Sequence, residues 1–382
     1  MENPFKYGGV VRGPHFADRE DELAELEREM RNLSRVFLVS PRRYGKTCLL
    51  FNLMDRLKKR GLATAYLDLN AHPTLKSFAG ALTVETSRAL ETNTDRLIKI
   101  LSGFQRLRPK VTVAPDGSLS VGAEAYTHEG DPLPALLEGL NHAESLAAKK
   151  KRKLVVAIDE FSDIAKYDGE ILEKGLRSEI QKHQQIGYVM SGSEESVILS
   201  MVQEQSRAFY KLGRIMELGP IPRNIFSDFV MGWLSKGGYR ADQRDLERIF
   251  ALGQDVPQNI QRLCHTMWEV TRETKHVTPE IIDTLTEVIV RQDSPHYELL
   301  WQMATPVQRT LLMALSSEHT LSPFSREFML KYSIGPPSSI KASLESLMKK
   351  SILYRSSDGS YRFADGFMPH WIEYLRKERP GG

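Results

Sequence analysis

The chain has 382 residues, of which 41% are hydrophobic and 26% charged, a composition typical of globular proteins and unlike that of disordered or fibrous ones. This length exceeds the usual size of a single hydrophobic core, so two or three domains are expected. The 52 Lys and Arg residues nearly balance the 49 Asp and Glu residues, and a net charge of +3 is too small to predict nucleic-acid binding by the whole molecule.

Neither a membrane span nor a secretion signal is predicted. No run of about 18 or more apolar residues occurs, and residues 1–5 lack the charged and apolar segments of a signal peptide. The two cysteines, Cys48 and Cys264, lie far apart and have no Cys or His at metal-ligand spacing, so neither a zinc site nor a disulfide framework is expected. We therefore expect a cytoplasmic protein without a membrane partner.

Residues 18–218 alternate between helical and strand patterns. Apolar residues recur at helical spacing from Leu23 to Leu33, and residues 46–59 also have a helical pattern. Short apolar runs bounded by polar or proline residues are typical of strands that are buried on both faces of a parallel sheet. This order predicts an α/β fold with a doubly wound, parallel, five-stranded sheet. The predicted strands are residues 35–40, 63–69, 153–159, 187–191 and 215–218.

One segment interrupts this alternation. Residues 110–121 alternate polar and apolar residues on either side of Asp116 and Gly117, a pattern that predicts a β-hairpin inserted at about residues 108–127. A surface elaboration without a catalytic role is the simpler interpretation, and an arm that contacts a partner is the alternative.

The strand signals stop after residue 222. The amphipathic helices that follow predict an α-helical lid, and three short helical patterns with two strands at residues 351–355 and 360–363 then give the order of a winged helix. We predict three domains, at residues 1–221, 222–300 and 301–382. The predicted lid helices are residues 223–234, 242–252, 257–274 and 279–292.

The loop between the first predicted strand and the next helix matches the end of a phosphate-binding motif. It has Gly45-Lys46-Thr47 at the last three positions, with Ser40 where a first glycine is expected. The preceding strand and following helix direct backbone N–H groups and a helix N-terminus at one anion, although an ordinary strand-loop-helix turn is the alternative. Gly45 would let the backbone approach the phosphates, Lys46 would contact the β- and γ-phosphates, and Thr47 would ligate Mg²⁺. The residues predicted to contact nucleotide here are Pro41, Arg42, Arg43, Tyr44, Gly45, Lys46, Thr47 and Cys48.

A second motif is the apolar run at residues 154–158 that ends in Asp159 and Glu160. Two carboxylates at the tip of a buried strand are costly to desolvate without a cation. Asp159 is therefore predicted to hold Mg²⁺ through its water shell, and Glu160 to polarise the attacking water as general base. A helix cap that follows a strand is the alternative interpretation.

Two further positions are candidates for contact with the γ-phosphate. Ser191 lies at the end of the fourth predicted strand, where a small polar side chain could sense this group, although a simple strand-end turn explains it equally well. Arg207 and Arg214 precede the last strand, and a guanidinium from this or a neighbouring subunit could reach the γ-phosphate. Arg214 is the first choice of the two, and an ordinary surface arginine is the alternative.

Together these motifs resemble the archaeal and bacterial P-loop ATPases of the STAND branch of the AAA+ class, which are related to origin-recognition ATPases. The resemblance implies an ASCE/AAA+ P-loop domain that uses ATP or ADP and Mg²⁺. It also implies that a proline or an arginine of the lid segment 253–263 lies near the nucleotide, here Pro257 or Arg262. The matching segments are residues 3–5, 16–20, 41–47, 158–161, 218–222, 253–263 and 361–365.

The predicted winged helix carries the basic excess of the chain, with eleven Lys and Arg against seven Asp and Glu in residues 301–382. The predicted recognition helix, residues 336–350, directs Ile340, Leu344 and Leu347 inward and other residues toward double-stranded DNA. Arg355 and Arg362 on the hairpin could meet phosphates. Packing against the chain's own ATPase domain, or binding a protein, is the alternative role. The residues left available for DNA are Ser338, Ser339, Lys341 and Ser343, and the lysines that could contact phosphate are Lys341, Lys349 and Lys350.

Three functions are compatible with this pattern. The first is a molecular switch that closes on ATP and resets by hydrolysis, so that the chain is an ATPase. The second is a nucleotide-regulated DNA-binding or loader protein with little turnover, and the third is a scaffold that keeps ADP bound. A protein partner or a second copy of the chain is also compatible with this pattern, and an arginine acting in trans would require a neighbouring subunit.

Overall fold

A computed structural model describes residues 1–102, 107–113, 119–125, 132–167, 169–318, 322–356 and 359–378. The chain divides into two compact units. The first unit comprises Met1–Asp18, Arg42–Tyr44 and Pro220–Gly382, and the second comprises Arg19–Pro41 and Gly45–Gly219. None of the helices in the described ranges is both long enough and apolar enough to cross a membrane.

The second unit is built on a parallel sheet of five strands. The sheet has the order β2-β5-β6-β1-β7, and the remaining two strands pair with each other as an antiparallel ribbon. The Asp116 and Gly117 turn predicted for this ribbon lies outside the described residues. The strands of the unit are β1 (Arg35–Val39), β2 (Ala63–Asp68), β3 (Leu107–Val113), β4 (Leu119–Ala125), β5 (Leu154–Asp159), β6 (Ile186–Gly192) and β7 (Arg214–Glu217).

Helices cover both faces of this sheet. Every residue of β5 and β6 is buried, which explains why these strands appear in the sequence as continuous apolar runs. The predicted doubly wound five-stranded α/β fold is confirmed, and the observed ends of its strands differ from the predicted ends by no more than one residue. The helices of the unit are α1 (Glu20–Arg31), α2 (Lys46–Lys59), α3 (Leu75–Leu90), α4 (Thr94–Ser102), α5 (Leu133–Lys150), α6 (Gly169–Ile180) and α7 (Glu195–Gln203).

The first unit contains the predicted lid helices and winged helix, which share one hydrophobic core. The order of three helices followed by an antiparallel hairpin confirms the winged helix. The elements are α8 (Arg223–Gly237), α9 (Gln243–Leu252), α10 (Pro257–Val270), α11 (Pro279–Gln302), α12 (Pro306–Ser317), α13 (Arg326–Lys331), α14 (Pro337–Lys349), β8 (Leu353–Arg355), β9 (Tyr361–Phe363) and α15 (Met368–Glu378).

Helix α11 is longer than the sequence predicts. The pattern ends at residue 292, but the helix continues through Pro295 to Gln302. Trp371 of α15 holds the additional turns, since its Nε1 donates a hydrogen bond to Ser294 Oγ (3.0 Å) and its ring packs against Tyr297. Burial of these large rings offsets the backbone hydrogen bond that a proline removes.

Candidate functional site

The predicted phosphate loop joins the end of β1 to the start of α2. Its backbone makes two left-handed turns, at Arg43 (φ 73°) and at Gly45 (φ 90°), which precedes the first residue of α2. Glycine adopts this conformation without the steric cost that a side chain adds. The Lys46 side chain is buried, and its Nζ donates to the Ser40 carbonyl (3.2 Å). The N-terminus of α2 favours negative charge, so this loop is suited to an anion.

The Asp159 carboxylate accepts three hydroxyl hydrogen bonds at the end of β5. Thr47 Oγ1 donates to Oδ2 (2.6 Å), as does the Tyr66 hydroxyl (3.1 Å), and Ser191 Oγ donates to Oδ1 (2.5 Å). Asp159 itself is only 2% exposed. The structure therefore brings together Thr47, Asp159 and Ser191, three residues that the sequence predicts for one site from three separate segments.

The sheet order explains this convergence. Strand β6 lies between β1 and β5, and all three strands run in the same direction, so that their carboxyl ends meet at one edge. Val39 is in register with Gly192 on one side of β6, and Ile158 with Met190 on the other. Ligands of open parallel sheets bind at this edge.

Glu160 lies directly beside this cluster. It adopts a left-handed conformation (φ 51°) before the short 3-10 helix Phe161–Lys166, and a side chain accepts this conformation only at a cost. Its Oε2 accepts hydrogen bonds from Ser193 Oγ (2.7 Å) and Ser193 N (3.2 Å), which fix the direction of the carboxylate. Its backbone N–H donates to Asp159 Oδ1 (3.1 Å). The two carboxylates are thus held in defined and different orientations.

The electrostatics of this edge favour a cation. Burial, and then the adjacent Asp159 carboxylate, raise the pKa of Tyr66 well above its ordinary range, so the phenol remains a hydrogen-bond donor. Burial also raises the pKa of Asp68, whose strand end is in register with Asp159, and Asp159 adds to this effect. Burial is the larger cause of both pKa shifts and the Asp159 charge adds to each, so a cation at this edge would offset the cost of the buried carboxylate.

The donor atoms at this edge fit Mg²⁺. The Thr47 hydroxyl and the Asp159 carboxylate are hard oxygen ligands, and Mg²⁺ usually combines one or two such protein groups with water and phosphate oxygens. In the described part of the chain no group of three or more His, Cys, Asp or Glu could hold a metal by itself. Thr47 and Asp159 are the residues here that would hold Mg²⁺, with water and phosphate oxygens as its other ligands.

The other loop residues predicted to contact nucleotide are divided between the two units. Pro41 and Cys48 are half-buried on either side of the loop, whereas Arg42, Arg43 and Tyr44 are grouped with the first unit. Arg42 is exposed, and Arg43 and Tyr44 are half-buried.

Two contacts fix Arg43 within the first unit. Its guanidinium donates to Asp365 Oδ2 (3.2 Å), and its carbonyl accepts a hydrogen bond from Gln258 N (3.3 Å). Pro257, the buried first residue of α10, directly precedes that donor. Arg262, further along the same helix, is ion-paired with Asp293 (2.6 Å), so its predicted proximity to nucleotide has no support from its contacts.

The structure does not bring Arg214 or Arg207 to the cluster. Arg214 begins β7 in register with Val36, at the amino end of the sheet, whereas the phosphate loop follows Val39 at the opposite end. It is exposed and forms ion pairs with Glu25 and Glu29. This position corrects the prediction that Arg214 reaches a γ-phosphate of its own subunit. Arg207 is also engaged elsewhere, by the Glu173 carboxylate (Nε to Oε2 3.1 Å).

Sequence reasoning missed two members of the cluster. Tyr66 lies in β2 and bonds Asp159, while Ser193 follows β6 and bonds Glu160. A polar group inside or just after a buried strand is the signal that could have identified both of them, because such a group requires a hydrogen-bond partner.

The predicted recognition helix corresponds to α14. Ile340, Leu344 and Leu347 are buried and Lys341 and Lys349 exposed, as the pattern predicts. Two expectations need correction: Ser343 is buried, and Lys350 donates hydrogen bonds to the Met303 carbonyl (2.8 Å) and Gln308 (3.3 Å). Ser343 therefore packs inside the winged helix and Lys350 bonds residues of the same unit, so neither side chain is available for DNA.

Two family models match the sequence. A model described as an ATPase domain predominantly from Archaea matches residues 16–263, more than half of the chain. A model described as a probable winged helix domain matches residues 295–374. Among curated proteins no match was found.

Solved structures share this fold over nearly the whole chain. A Walker-type ATPase of Pyrococcus abyssi is 16% identical, with a TM-score of 0.64 and coverage of 97% of this chain and 99% of the other. The ORC2 protein of Aeropyrum pernix, solved in ADPNP-ADP complexes, is 13% identical over 100% and 98% of the two chains (TM-score 0.54). The ORC1 protein of the same organism, solved in complex with DNA, is 14% identical over 97% and 94% (TM-score 0.51).

Proposed function

Since this chain belongs to the family of ATPase domains found predominantly in Archaea, we propose that it binds ATP with Mg²⁺ and hydrolyses it to ADP and phosphate. The observation that carries this proposal is the convergence of Thr47, Ser191 and Asp159 beside the Lys46 loop. A magnesium–triphosphate complex needs oxygen ligands for the metal, which the hydroxyl and the buried carboxylate supply. It also needs a site for the phosphates, which the N-terminus of α2 supplies.

The proposed roles follow from where each side chain lies. Lys46 contacts the β- and γ-phosphates, Thr47 ligates Mg²⁺, and Asp159 binds the water shell of the metal. Glu160 acts as general base because Ser193 holds its carboxylate beside the metal site. Ser191 orients Asp159 and is the proposed sensor of the γ-phosphate. The other residues proposed to contact the nucleotide are Pro41, Arg42, Arg43, Tyr44, Gly45 and Cys48 of the loop and Pro257 of α10.

We propose further that hydrolysis serves a conformational switch of the AAA+/STAND type, in which ATP and ADP states differ in how the chain engages a partner. A loader with little turnover and a scaffold with permanent ADP are the competing functions. Phosphate release by nucleotide-free protein with ATP and Mg²⁺ separates them, because only the switch completes many turnovers. Calorimetry on nucleotide-free protein that detects uptake of neither ATP nor ADP in Mg²⁺ would contradict all three.

Ser191→Ala is expected to raise the Mg²⁺ concentration needed for half-maximal turnover by on the order of tenfold. Ser191 Oγ bonds Asp159, and loss of a group that orients a metal ligand typically weakens metal affinity by about 10–100-fold. Magnesium titrations of the hydrolysis rate measure this effect. Ser193→Ala is the matched control, since Ser193 bonds Glu160 instead, and it should lower the rate without moving the titration midpoint. Coincident shifts in both variants would contradict the assignment.

We also propose that α14 contacts double-stranded DNA. Replacing the exposed Lys341 and Lys349 by Gln should weaken duplex binding and reduce the slope of log affinity against log salt by about 2, since each phosphate contact contributes about 0.9. Fluorescence anisotropy with a labelled duplex measures both quantities. Lys58→Gln with Lys59→Gln, on exposed α2 positions, removes the same charge as a control. Absence of wild-type binding at low salt would refute duplex binding.

A further inference from the structure

A groove with a volume of about 710 Å³ lies within the first unit. Its walls are the 42–44 segment, the start of α10, the residues before α13 and the β8–β9 hairpin. We call this feature the wing groove. Its lining residues all belong to the first unit, and its volume is in the range of sites that bind organic ligands.

The wing groove is lined by positive charge. Four guanidinium groups and the Glu318 carboxylate lie in its walls; Lys331 Nζ binds Glu318 (2.8 Å) and Arg43 donates to Asp365 (3.2 Å), so the excess of positive charge remains. A recess with this balance concentrates anions, and guanidinium groups bind phosphate with directed hydrogen bonds. The four arginines are Arg42, Arg43, Arg355 and Arg362.

Aromatic rings accompany these arginines. Phe324 is 37% exposed, although burying its ring would be favourable, and its ring lies edge-on to Tyr361 with centroids 6.3 Å apart. The Arg355 guanidinium lies 5.9 Å from the Tyr361 ring centroid. The aromatic rings thus provide flat surfaces for stacking, and the guanidinium groups beside them can bind phosphate. The aromatic residues of the lining are Tyr44, Phe324, Tyr354, Tyr361 and Phe363.

We propose that the wing groove binds an unpaired strand of nucleic acid. Single-strand sites combine a positive groove that follows the backbone with aromatic side chains on which bases stack. A duplex hides its base faces in its own stack and would use only the arginines. An acidic peptide would likewise leave the exposed Phe324 ring without a matching flat partner. Unpaired bases on a phosphate backbone use both features at once.

This interaction differs from the proposed ATPase activity and from duplex binding at α14. It does not use the Asp159 cluster, and its defining contact is the Phe324 ring. It is tested without ATP because Arg42, Arg43 and Tyr44 of the groove walls are also proposed to contact nucleotide. Arg355 and Arg362, which the sequence marks for phosphate contact, bind the backbone of the strand. The bases stack on Phe324 and the neighbouring tyrosines.

The test is fluorescence anisotropy with labelled oligo(dT) and with a duplex of the same length, without nucleotide. Phe324→Leu, which keeps an apolar side chain but no flat face, should weaken oligo(dT) binding about tenfold and leave duplex binding unchanged. Phe324→Tyr should restore it. Arg355→Gln with Arg362→Gln should weaken oligo(dT) binding and lower the salt slope by about 1.4. Arg272→Gln with Arg291→Gln, both exposed on the first unit, is the charge-matched control.

Each outcome decides the proposal. It is overturned if wild type does not bind oligo(dT) at low salt, or if Phe324→Leu binds as tightly as wild type. It is also overturned if dTMP or poly(Glu) displaces oligo(dT) as effectively as an unlabelled strand does at equal charge. Melting temperatures show that the variants are folded. ATP turnover on the same samples separates this result from the ATPase proposal, because either activity can fail alone.

Discussion

Glu160→Gln is expected to lower ATP turnover by on the order of 10²–10⁴-fold while ATP still binds. A positioned general base contributes about that factor, and an amide cannot take a proton from the attacking water. The substitution keeps the size of the side chain, and Ser193 can still donate to its remaining carbonyl oxygen. Steady-state phosphate release and calorimetric ATP affinity, measured on the same sample, separate the chemical step from binding.

Asp163→Asn is the matched control for this experiment. Asp163 lies three residues further along, in the same 3-10 helix, and its carboxylate pairs with Lys166 (2.6 Å), not with the Asp159 cluster. It should leave turnover close to that of wild type, since its partner Lys166 is 63% exposed and the pair takes no part in the hydrogen bonds of the Asp159 and Glu160 side chains. If Glu160→Gln turned over at the wild-type rate, the general base would be a different group. A loss of ATP binding in Glu160→Gln would instead show that the Glu160 carboxylate contributes to the binding of ATP and Mg²⁺, not only to the chemical step.

The sequence predicts most of this site because its chemistry is local to strand ends. An apolar run that ends in Asp159 and Glu160 defines a buried strand and places both carboxylates at its carboxyl end. A second run followed by Gly45-Lys46-Thr47 places the loop at the end of another strand. Because the carboxyl ends of parallel strands lie at one edge of the sheet, these two local patterns are enough to predict that the loop and the carboxylates lie close together.

The contacts that the sequence predicts wrongly or does not predict also have specific physical causes. Arg214 was assigned by its closeness in sequence to a strand, but it begins the strand, and the beginnings of parallel strands lie at the edge opposite the site. The contact from Tyr66 to Asp159 depends on the position of β2 beside β5 in the sheet, information that no local pattern contains. Helix α11 passes Pro295 because Trp371, from a distant segment, packs on it. Long-range packing overrides local propensity at such positions.

Lys46→Ala is expected to weaken ATP binding by at least about 100-fold and to remove turnover with it. A hydrogen bond to a charged group contributes about 1.5–3 kcal/mol, and the ammonium group would make one such bond to each of two phosphates. Because Lys46 is 6% exposed, its charge acts with little screening by solvent. Calorimetry with ATP and Mg²⁺ gives the affinity, and phosphate release gives the rate.

A change in folding has to be separated from a change in binding, because Lys46 Nζ also donates to the Ser40 carbonyl. Thermal unfolding of the ligand-free variant measures that contribution alone. Lys46→Arg retains the charge but not the compact ammonium geometry, so it should bind ATP more tightly than Lys46→Ala and less tightly than wild type. Lys58→Ala, on the exposed end of α2, controls for the loss of one positive charge. If Lys46→Ala bound ATP with wild-type affinity, the triphosphate would bind away from this loop. Residues 40–47 contain no second lysine that could replace the contacts of Lys46.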